Sequence, residues 1–229
     1  MEDGSQTCAV EGALVPNMSR QERRGVLELV AGSFTRDLEY IMEGKNAVEV
    51  KLAASLKKLA VKTPFEKITI KQITDGAGVI RVTFYNHFQD KYDLLEWIVA
   101  TEILDPVRIL FTNKMFREAI VLIFSNMRKD REFYMHVVAM QGQNSFAEIV
   151  ESAIRGLLLS LLEENRTKKK FAHKWMEPEY LARYYAQAMT YVVVNWIKSG
   201  MTVEPEEMAT VYEYIASRSL WDIIEEMQE

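Results

Sequence analysis

The sequence predicts an all-α protein in which a small helical unit precedes a larger helical bundle. Three observations predict this class. Apolar residues recur at every third or fourth position, whereas alternating β-branched residues are scarce. Proline and glycine, which interrupt helices, number only 5 and 10 among 229 residues. Hydrophobic residues make up 48% of the chain, which is ample for a sizeable core.

The periodicity divides the chain into three parts: an extension over 1–45, a small domain over 46–92 and a helical domain over 93–229. The extension has an aperiodic leader and then a helix from Ser19, a favourable cap, to about Gly44. We expect that helix to pack on the rest of the protein. Contact with a partner or with DNA through its arginines is the alternative.

The stretch 69–95 departs from a simple helical repeat. Thr69 and Gln72 form a capping box for a first short helix. The run Asp75-Gly76-Ala77-Gly78 then ends that helix, and a second short helix is predicted at 81–86. Helix, glycine turn and exposed polar-aromatic helix together predict a helix-turn-helix, which places its second helix in the DNA major groove.

The charge distribution favours contact with nucleic acid, although the net charge is −5. Residues 45–91 hold nine Lys and Arg against four acidic residues, which leaves this segment at +5 and the remainder at −10. A basic patch on an acidic body suits a DNA-binding protein, because neutralising phosphates supplies much of the affinity. A solvated lysine-rich helix is the alternative explanation for Lys51, Lys57 and Lys58.

The helix-turn-helix stretch resembles the DNA-binding motif of TetR-family transcriptional regulators. The matching residues are Ile73, Ala77-Gly78-Val79, Thr83, Phe84-Tyr85, His87-Phe88, Asp90-Lys91 and Leu94-Leu95. The chain departs from the family pattern at Asp75, Gly76 and Ile80. The resemblance implies a homodimer bound to double-stranded operator DNA, with a recognition helix in each major groove.

The resemblance also implies a division of DNA contacts. Phosphate contacts, which position a protein without reading sequence, are expected from Thr69, Lys71, Tyr85, His87 and Lys91. Base contacts are expected from Arg81, Thr83 and Asn86, because arginine can bond guanine O6 and N7 and a threonine methyl can meet a thymine methyl. Phe84 is expected in the core. A buried structural role is the alternative for His87.

The rest of the chain is predicted to be helical at 46–62, 91–104, 106–127, 130–141, 145–165, 178–199 and 205–226. Asp105-Pro106 is expected to end one helix and begin the next, because proline suits a first turn. The basic run 166–176 is expected to be a solvated connection.

The C-terminal part resembles one branch of the TetR family, the dihydroxyacetone-kinase operon regulators. The matching residues are Phe133-Tyr134, the run 141–146, Asn195-Trp196-Ile197, Gly200 and the run 204–208. The resemblance implies control by a small molecule or by a partner protein. Candidate ligand residues are Phe111, Phe133, Tyr134, Met140, Gln143 and Tyr185; ordinary core packing is the alternative.

Two strongly apolar helices, 178–199 and 205–226, predict a four-helix bundle across a two-fold axis. The candidate interface residues are Tyr184, Met189, Val192, Trp196, Met208, Tyr212, Ile215 and Trp221. Burial within one subunit is the alternative for each of them.

The sequence argues against several other classes. The single cysteine, Cys8, excludes a disulfide framework. The histidines lack metal-ligand spacing and no phosphate loop or nucleophile turn is present, so neither an enzyme nor a cofactor is predicted. No apolar run spans a bilayer and no secretion signal is evident, which predicts a cytoplasmic protein with no membrane partner. The competing hypothesis is a helical adaptor that uses the helix-turn-helix shape for protein contacts.

Overall fold

The structure is a computed structural model that describes residues 47–142, 144–164 and 173–226, and every regular element in these ranges is helical. The predicted N-terminal helix from Ser19 and most of the basic run 166–176 lie outside the described residues. We call residues 47–90 the head and residues 91–226 the body. None of the described helices has the length and apolarity needed to cross a membrane.

The head contains α1 (Ala47–Ala60), α2 (Ile70–Ala77) and α3 (Arg81–Tyr85), with a 3₁₀ turn at Phe65–Lys67. The body contains α4 (Lys91–Ile98), α5 (Asp105–Thr112), α6 (Phe116–Lys129), α7 (Arg131–Val137), α8 (Phe146–Glu164), α9 (Pro178–Lys198), α10 (Pro205–Ser217) and α11 (Leu220–Glu226). α8 and α9 pack along each other, and α10 packs against α6.

The head has a compact apolar core of its own. Leu52 and Leu56 of α1, Ile73 of α2 and Phe84 of α3 are all completely buried. Phe65 closes one end of this core at 4% exposure. The amphipathic periodicity of 46–62 predicted the inward face of α1 correctly, because that helix buries one apolar stripe. In α3 only Phe84 is buried, as expected.

The helix that leaves the head does not end at Asp105-Pro106, where the sequence predicts a boundary. A π-helical segment, Val99–Leu104, joins α4 to α5, and the Asp105 N–H donates to the Ala100 carbonyl five residues back. Pro106 has no N–H, so the Glu102 carbonyl lacks its usual helical donor. It accepts a hydrogen bond from the Asn126 side chain instead, at 3.4 Å. A new α-helical element, α5, nevertheless begins at Asp105 with Pro106 in its first turn, as predicted. Asp105 is itself helical and does not cap it, because the π turn accommodates proline inside a continuous helical path.

Two breaks fall inside helices that the sequence predicts to be continuous. Lys114, with a φ of 58°, separates α5 from α6. Arg218 is extended, and Ser219 then caps α11 through reciprocal bonds with Asp222. A lysine in the left-handed region has no sequence signature. The Ser219 capping box, by contrast, is visible in the sequence, but the apolar periodicity on both sides of it favoured one continuous helix.

The head and the body are joined by an ion cluster around Lys57 of α1. The Lys57 ammonium donates to Glu102 of the π-helical segment and, at 2.7 Å, to Asp130 at the junction of α6 and α7. The Lys57 side chain is only 18% exposed, whereas Glu102 and Asp130 are 30% and 40% exposed. One cation from the head thus bonds two acids from different elements of the body.

Burial and charge shift the pKa values of this cluster in identifiable directions. Burial by itself lowers the pKa of Lys57, but Glu102 and Asp130 together raise it above its ordinary value. Burial raises the pKa of Glu102, while Lys57 opposes that rise. Lys57 therefore stays charged, and its charge offsets the cost of burying the Glu102 carboxylate.

Replacing Lys57 by methionine should lower the free energy of unfolding by about 2–3 kcal/mol, because two partly buried acids lose their cation. The loss should be smaller near pH 5 than near pH 8. Without the lysine the raised pKa of Glu102 rises further, so the folded state gains stability as the pH falls through that value. Urea unfolding at both pH values measures this.

The exposed neighbour Lys58 provides the matched control for that measurement. Lys58→Met should change the free energy of unfolding by less than about 0.5 kcal/mol. Equal effects of the two methionine substitutions would contradict a joining role for Lys57.

Candidate nucleic-acid interface

The first helix of the motif, α2, begins at the predicted capping box. The Thr69 hydroxyl oxygen accepts from the Gln72 N–H at 3.3 Å, and the Gln72 side-chain oxygen accepts from the Thr69 N–H at 2.9 Å. The Thr69 hydroxyl also donates to that oxygen at 2.9 Å. Because Thr69 is exposed, a phosphate at the N-terminus of α2 could share the Thr69 donors with the capping box.

The turn between α2 and α3 depends on two glycines for different reasons. Gly78 has a φ of 70°, the left-handed conformation that ends helices, and the Val79 N–H bonds the Thr74 carbonyl at 3.0 Å. Gly76 is required by packing, because a Cβ there would overlap with the Ser55 hydroxyl. That hydroxyl donates to the Ile73 carbonyl at 2.8 Å, which holds α1 directly against α2.

The recognition helix α3 is anchored by Phe84 and presents its other side chains outward. Phe84 is completely buried, as the sequence predicts, and its ring lies 5.8 Å from that of Phe88. Arg81 and Asn86 are exposed, Tyr85 is 52% exposed and Thr83 is half-buried. Within the described residues, no acidic side chain forms an ion pair with Arg81. The guanidinium is therefore available to a ligand.

His87 lies just after α3 and links it to α1. Its Nδ1–H donates to the Glu49 carboxylate at 2.8 Å, and the ring is 26% exposed. The second oxygen of Glu49 is buried and has no hydrogen-bond partner among the described residues. His87 therefore has features of both predicted roles. Its ring holds α3 in place, and part of the ring is exposed at the surface.

Lys91 is occupied inside the protein. Its ammonium donates to the carbonyls of Phe65, Glu66 and Ile68 at 2.8, 2.8 and 2.9 Å, which uses all three of its hydrogens. It also lies over the Phe65 ring, 5.3 Å from the centroid. Burial lowers the pKa of this lysine. Lys91 therefore holds the 3₁₀ turn to α4, and its ammonium has no hydrogen left to donate to a DNA phosphate.

Lys71 differs from Lys91 because it remains on the surface. It pairs with Asp75 one turn later at 2.6 Å, and both side chains are more than 60% exposed. A pair this exposed is worth little, so a phosphate can compete for Lys71.

Two regions of the sequence match known protein families. Residues 53–98, which contain α2 and α3, match the family of bacterial regulatory proteins named tetR. Residues 115–218 match the transcriptional regulator C-terminal region of the same family. Together the two regions cover more than half of the chain. The chain belongs to the TetR family of transcriptional regulators.

Individual relatives agree with this assignment. The regulator is 21% identical to the dhaKLM operon transcriptional activator DhaS of Lactococcus lactis over 153 residues, which are 67% of this chain and 81% of that protein. It is 29% identical to the transcriptional regulator YxbF of Bacillus subtilis over 167 residues, which are 58% of this chain but only 42% of YxbF. These relatives are regulators and not enzymes.

A solved structure shares the fold. The structure of the dihydroxyacetone kinase operon activator DhaS matches with a TM-score of 0.50 at 20% identity, over 72% of this chain and 92% of that chain. At this identity the match concerns the all-α fold alone, with a helix-turn-helix followed by a helical domain.

The structure corrects part of the predicted dimer surface of the regulator. Trp196 and Met208 are buried within the chain and Tyr212 is half-buried: Trp196 donates to the Val203 carbonyl at 2.9 Å and Tyr212 to the Met189 carbonyl at 3.0 Å. Met189 and Val192 are half-buried against the core. The remaining predicted residues are exposed: Tyr184 at 68%, Ile215 at 53% and Trp221 at 73%. Periodicity missed Tyr191 and Tyr214, which are exposed beside them.

The candidate ligand residues do not share one pocket. Phe111 lines a wholly apolar cavity of about 30 Å³ in the body, together with Ile103, Met189 and Tyr212. Phe133 and Tyr134 pack on each other in the core, Met140 lines a separate surface groove, and Tyr185 is exposed. Gln143 lies outside the described residues. No group of acidic, histidine or cysteine side chains in the described ranges could hold a metal ion.

Two exposed side chains at the recognition helix are not among the predicted DNA contacts. Ile80 and Val82, on either side of Arg81, are 70% and 64% exposed. The spacing from Phe84 places Val82, two residues away, on another face of the short helix. Ile80 is the extended N-cap that precedes the helix, so its four-residue spacing from Phe84 does not turn it towards the core.

Substituting Gly76 tests the packing of α1 on α2. Gly76→Ala should lower the free energy of unfolding by about 1 kcal/mol, because the Ser55 hydroxyl must give up its bond to Ile73. In a Ser55→Ala background the same change should raise it by about 0.5–1 kcal/mol, because alanine favours helix more than glycine. Urea unfolding of the four proteins measures this reversal of sign; the same sign in both backgrounds would contradict it.

Proposed function

We propose that the protein is a homodimeric, sequence-specific DNA-binding regulator acting at operator DNA in the cytoplasm. The observation that carries the proposal is α3, a recognition helix fixed by one buried aromatic residue. At its N-terminal end it exposes Arg81, which has no ion pair among the described residues. Helix-turn-helix proteins contact base edges with that end. Arg81, Thr83 and Asn86 would face the bases, while Lys71, Tyr85 and the N-terminus of α2 at Thr69 would meet phosphate.

Dimerisation through α9 and α10 is supported by their exposed apolar surface. Tyr184, Tyr191, Tyr214 and Ile215 are each 38% or more exposed on these two helices. Several large apolar side chains exposed on the same two helices favour an interaction surface. A two-fold arrangement would also present two heads to one duplex, as half-sites in successive major grooves require.

Control through the body is supported by the position of the π-helical segment. Val99, Ile103 and Leu104 line the apolar cavity, and Glu102 of the same segment bonds Lys57 of the head. A small molecule that enlarged this cavity, or a partner protein that moved α6 or α7, would displace the segment and reorient the head. Such a shift between two states would change the fit to half-site spacing.

Arg81 and Lys71 should have different roles on DNA. Against a duplex selected by the protein from a random pool, Arg81→Ala should weaken binding by about 1–3 kcal/mol and relax the preference at one base pair. Lys71→Ala should weaken binding to all sequences alike and reduce the salt slope by about one. Fluorescence anisotropy at several salt concentrations measures both effects. Indistinguishable profiles for the two variants would refute this division.

The second candidate function, a helical adaptor, is favoured by the exposed aliphatic pair at Ile80 and Val82 and by Asp75 beside Lys71. The same titration separates the two candidates. A regulator selects a duplex and binds it at nanomolar concentration with a steep salt slope, whereas an adaptor shows only weak binding without sequence preference.

The dimer surface can be tested with a matched pair of isoleucines. Ile215 on α10 is 53% exposed, and Ile109 on α5 is 51% exposed. Ile215→Glu should shift the protein towards monomer by at least tenfold in dissociation constant, because it places a charge in an apolar interface. Ile109→Glu should leave the dimer intact. Sedimentation equilibrium at micromolar concentration measures both; a monomeric parent protein would overturn the dimer.

A further inference from the structure

Two aliphatic side chains at the start of the recognition helix are left in solvent. Ile80 is 70% exposed and Val82 is 64% exposed, and both adjoin the exposed Arg81. Phe84, in the same helix, is completely buried. Phe84 alone anchors the helix in the core, so the packing of the head does not require an aliphatic residue at position 80 or 82.

Ile80 also occupies a position where the helix would be more stable with a polar residue. It is the N-cap of α3, and its side chain makes no capping hydrogen bond. Thr69 and Asp90, the N-caps of α2 and α4, both accept hydrogen bonds from backbone N–H groups of the following turn. Serine, threonine and aspartate are favoured at N-caps, whereas isoleucine is strongly disfavoured. Valine within α3 is likewise a poorer helix former than alanine.

Ile80 and Val82 are unfavourable for the helix and gain no packing in return, which points to a ligand. The major groove offers one apolar group to such side chains, the C5-methyl group of thymine. We propose that Ile80 and Val82 read thymine methyl groups next to the base pair contacted by Arg81. This inference rests on the proposed DNA-binding function and deepens it, because it names a chemical feature that the operator must carry.

The positions of Ile80 and Val82 beside Arg81 determine where the proposed thymines lie within the half-site. The N-cap and the first turn of α3 lie within two residues of Arg81, so the thymines must be adjacent to the base pair whose preference Arg81→Ala relaxes. Removing one methyl group from such a contact should weaken binding about fourfold, the value expected for one buried methyl-sized group.

The test uses the duplex that the full chain selects, with each thymine replaced in turn by deoxyuridine. This replacement removes the methyl group and leaves base pairing unchanged. Anisotropy titrations would be run with the parent protein, Ile80→Ser, Val82→Ala and the control Ile109→Ser, a residue of similar exposure far from α3 in sequence. Thermal unfolding of each variant would be measured alongside.

The expected result separates DNA recognition from folding. The parent and Ile109→Ser should lose about fourfold in affinity at one or two deoxyuridine positions. Ile80→Ser and Val82→Ala should each bind thymine and uracil equally at one of these positions. Neither variant should unfold at a lower temperature than the parent, because serine caps α3 and alanine favours it.

Two results would overturn the inference in distinguishable ways. If the parent binds its duplex tightly but does not distinguish deoxyuridine from thymidine, or if both α3 variants keep the full discrimination, methyl reading by this pair is wrong while DNA binding stands. If the parent selects no duplex at all, the proposed function fails and the inference fails with it. The exposed pair would then belong to a protein contact.

Discussion

The relation between the two halves of the molecule depends on the charge of Lys57. Its ammonium replaces water around two carboxylates that come from different elements of the body, and neither acid has another cation bonded to it among the described residues. The backbone of Glu102 is held as well, through the bond from Asn126 to its carbonyl. Glu102 thus bonds the head through its side chain and α6 of the body through its main chain, so the π-helical segment is fixed to both.

Elements defined by local chemistry were predictable from the sequence. The capping box at Thr69, the turn at Gly78 and the cap at Asp90 depend on neighbours within four residues, and the structure contains all three. The anchor role of Phe84 followed from the same short-range reasoning. The all-α class and the helix-turn-helix were therefore accessible before any coordinates.

Features that depend on distant contacts were not predictable. Lys91 bonds carbonyls 23 to 26 residues away, and sequence spacing does not reveal that its charge is used inside the protein. Trp196 and Tyr212 have the composition of interface residues, yet partners within the same subunit bury them. The periodicity of an apolar helix indicates which face is buried but not which molecule buries it.

The π-helical segment also fixes the rotational phase between head and body. A π turn contains one residue more than an α turn, and each residue of an α-helix advances the chain by about 100°. If one residue were removed from Val99–Leu104 and the segment became an ordinary α-helix, α4 would turn by about that angle relative to α5. Lys57 would then point away from Asp130. The segment therefore acts as a spacer of fixed length, whose residue count sets the angle at which the head meets the body.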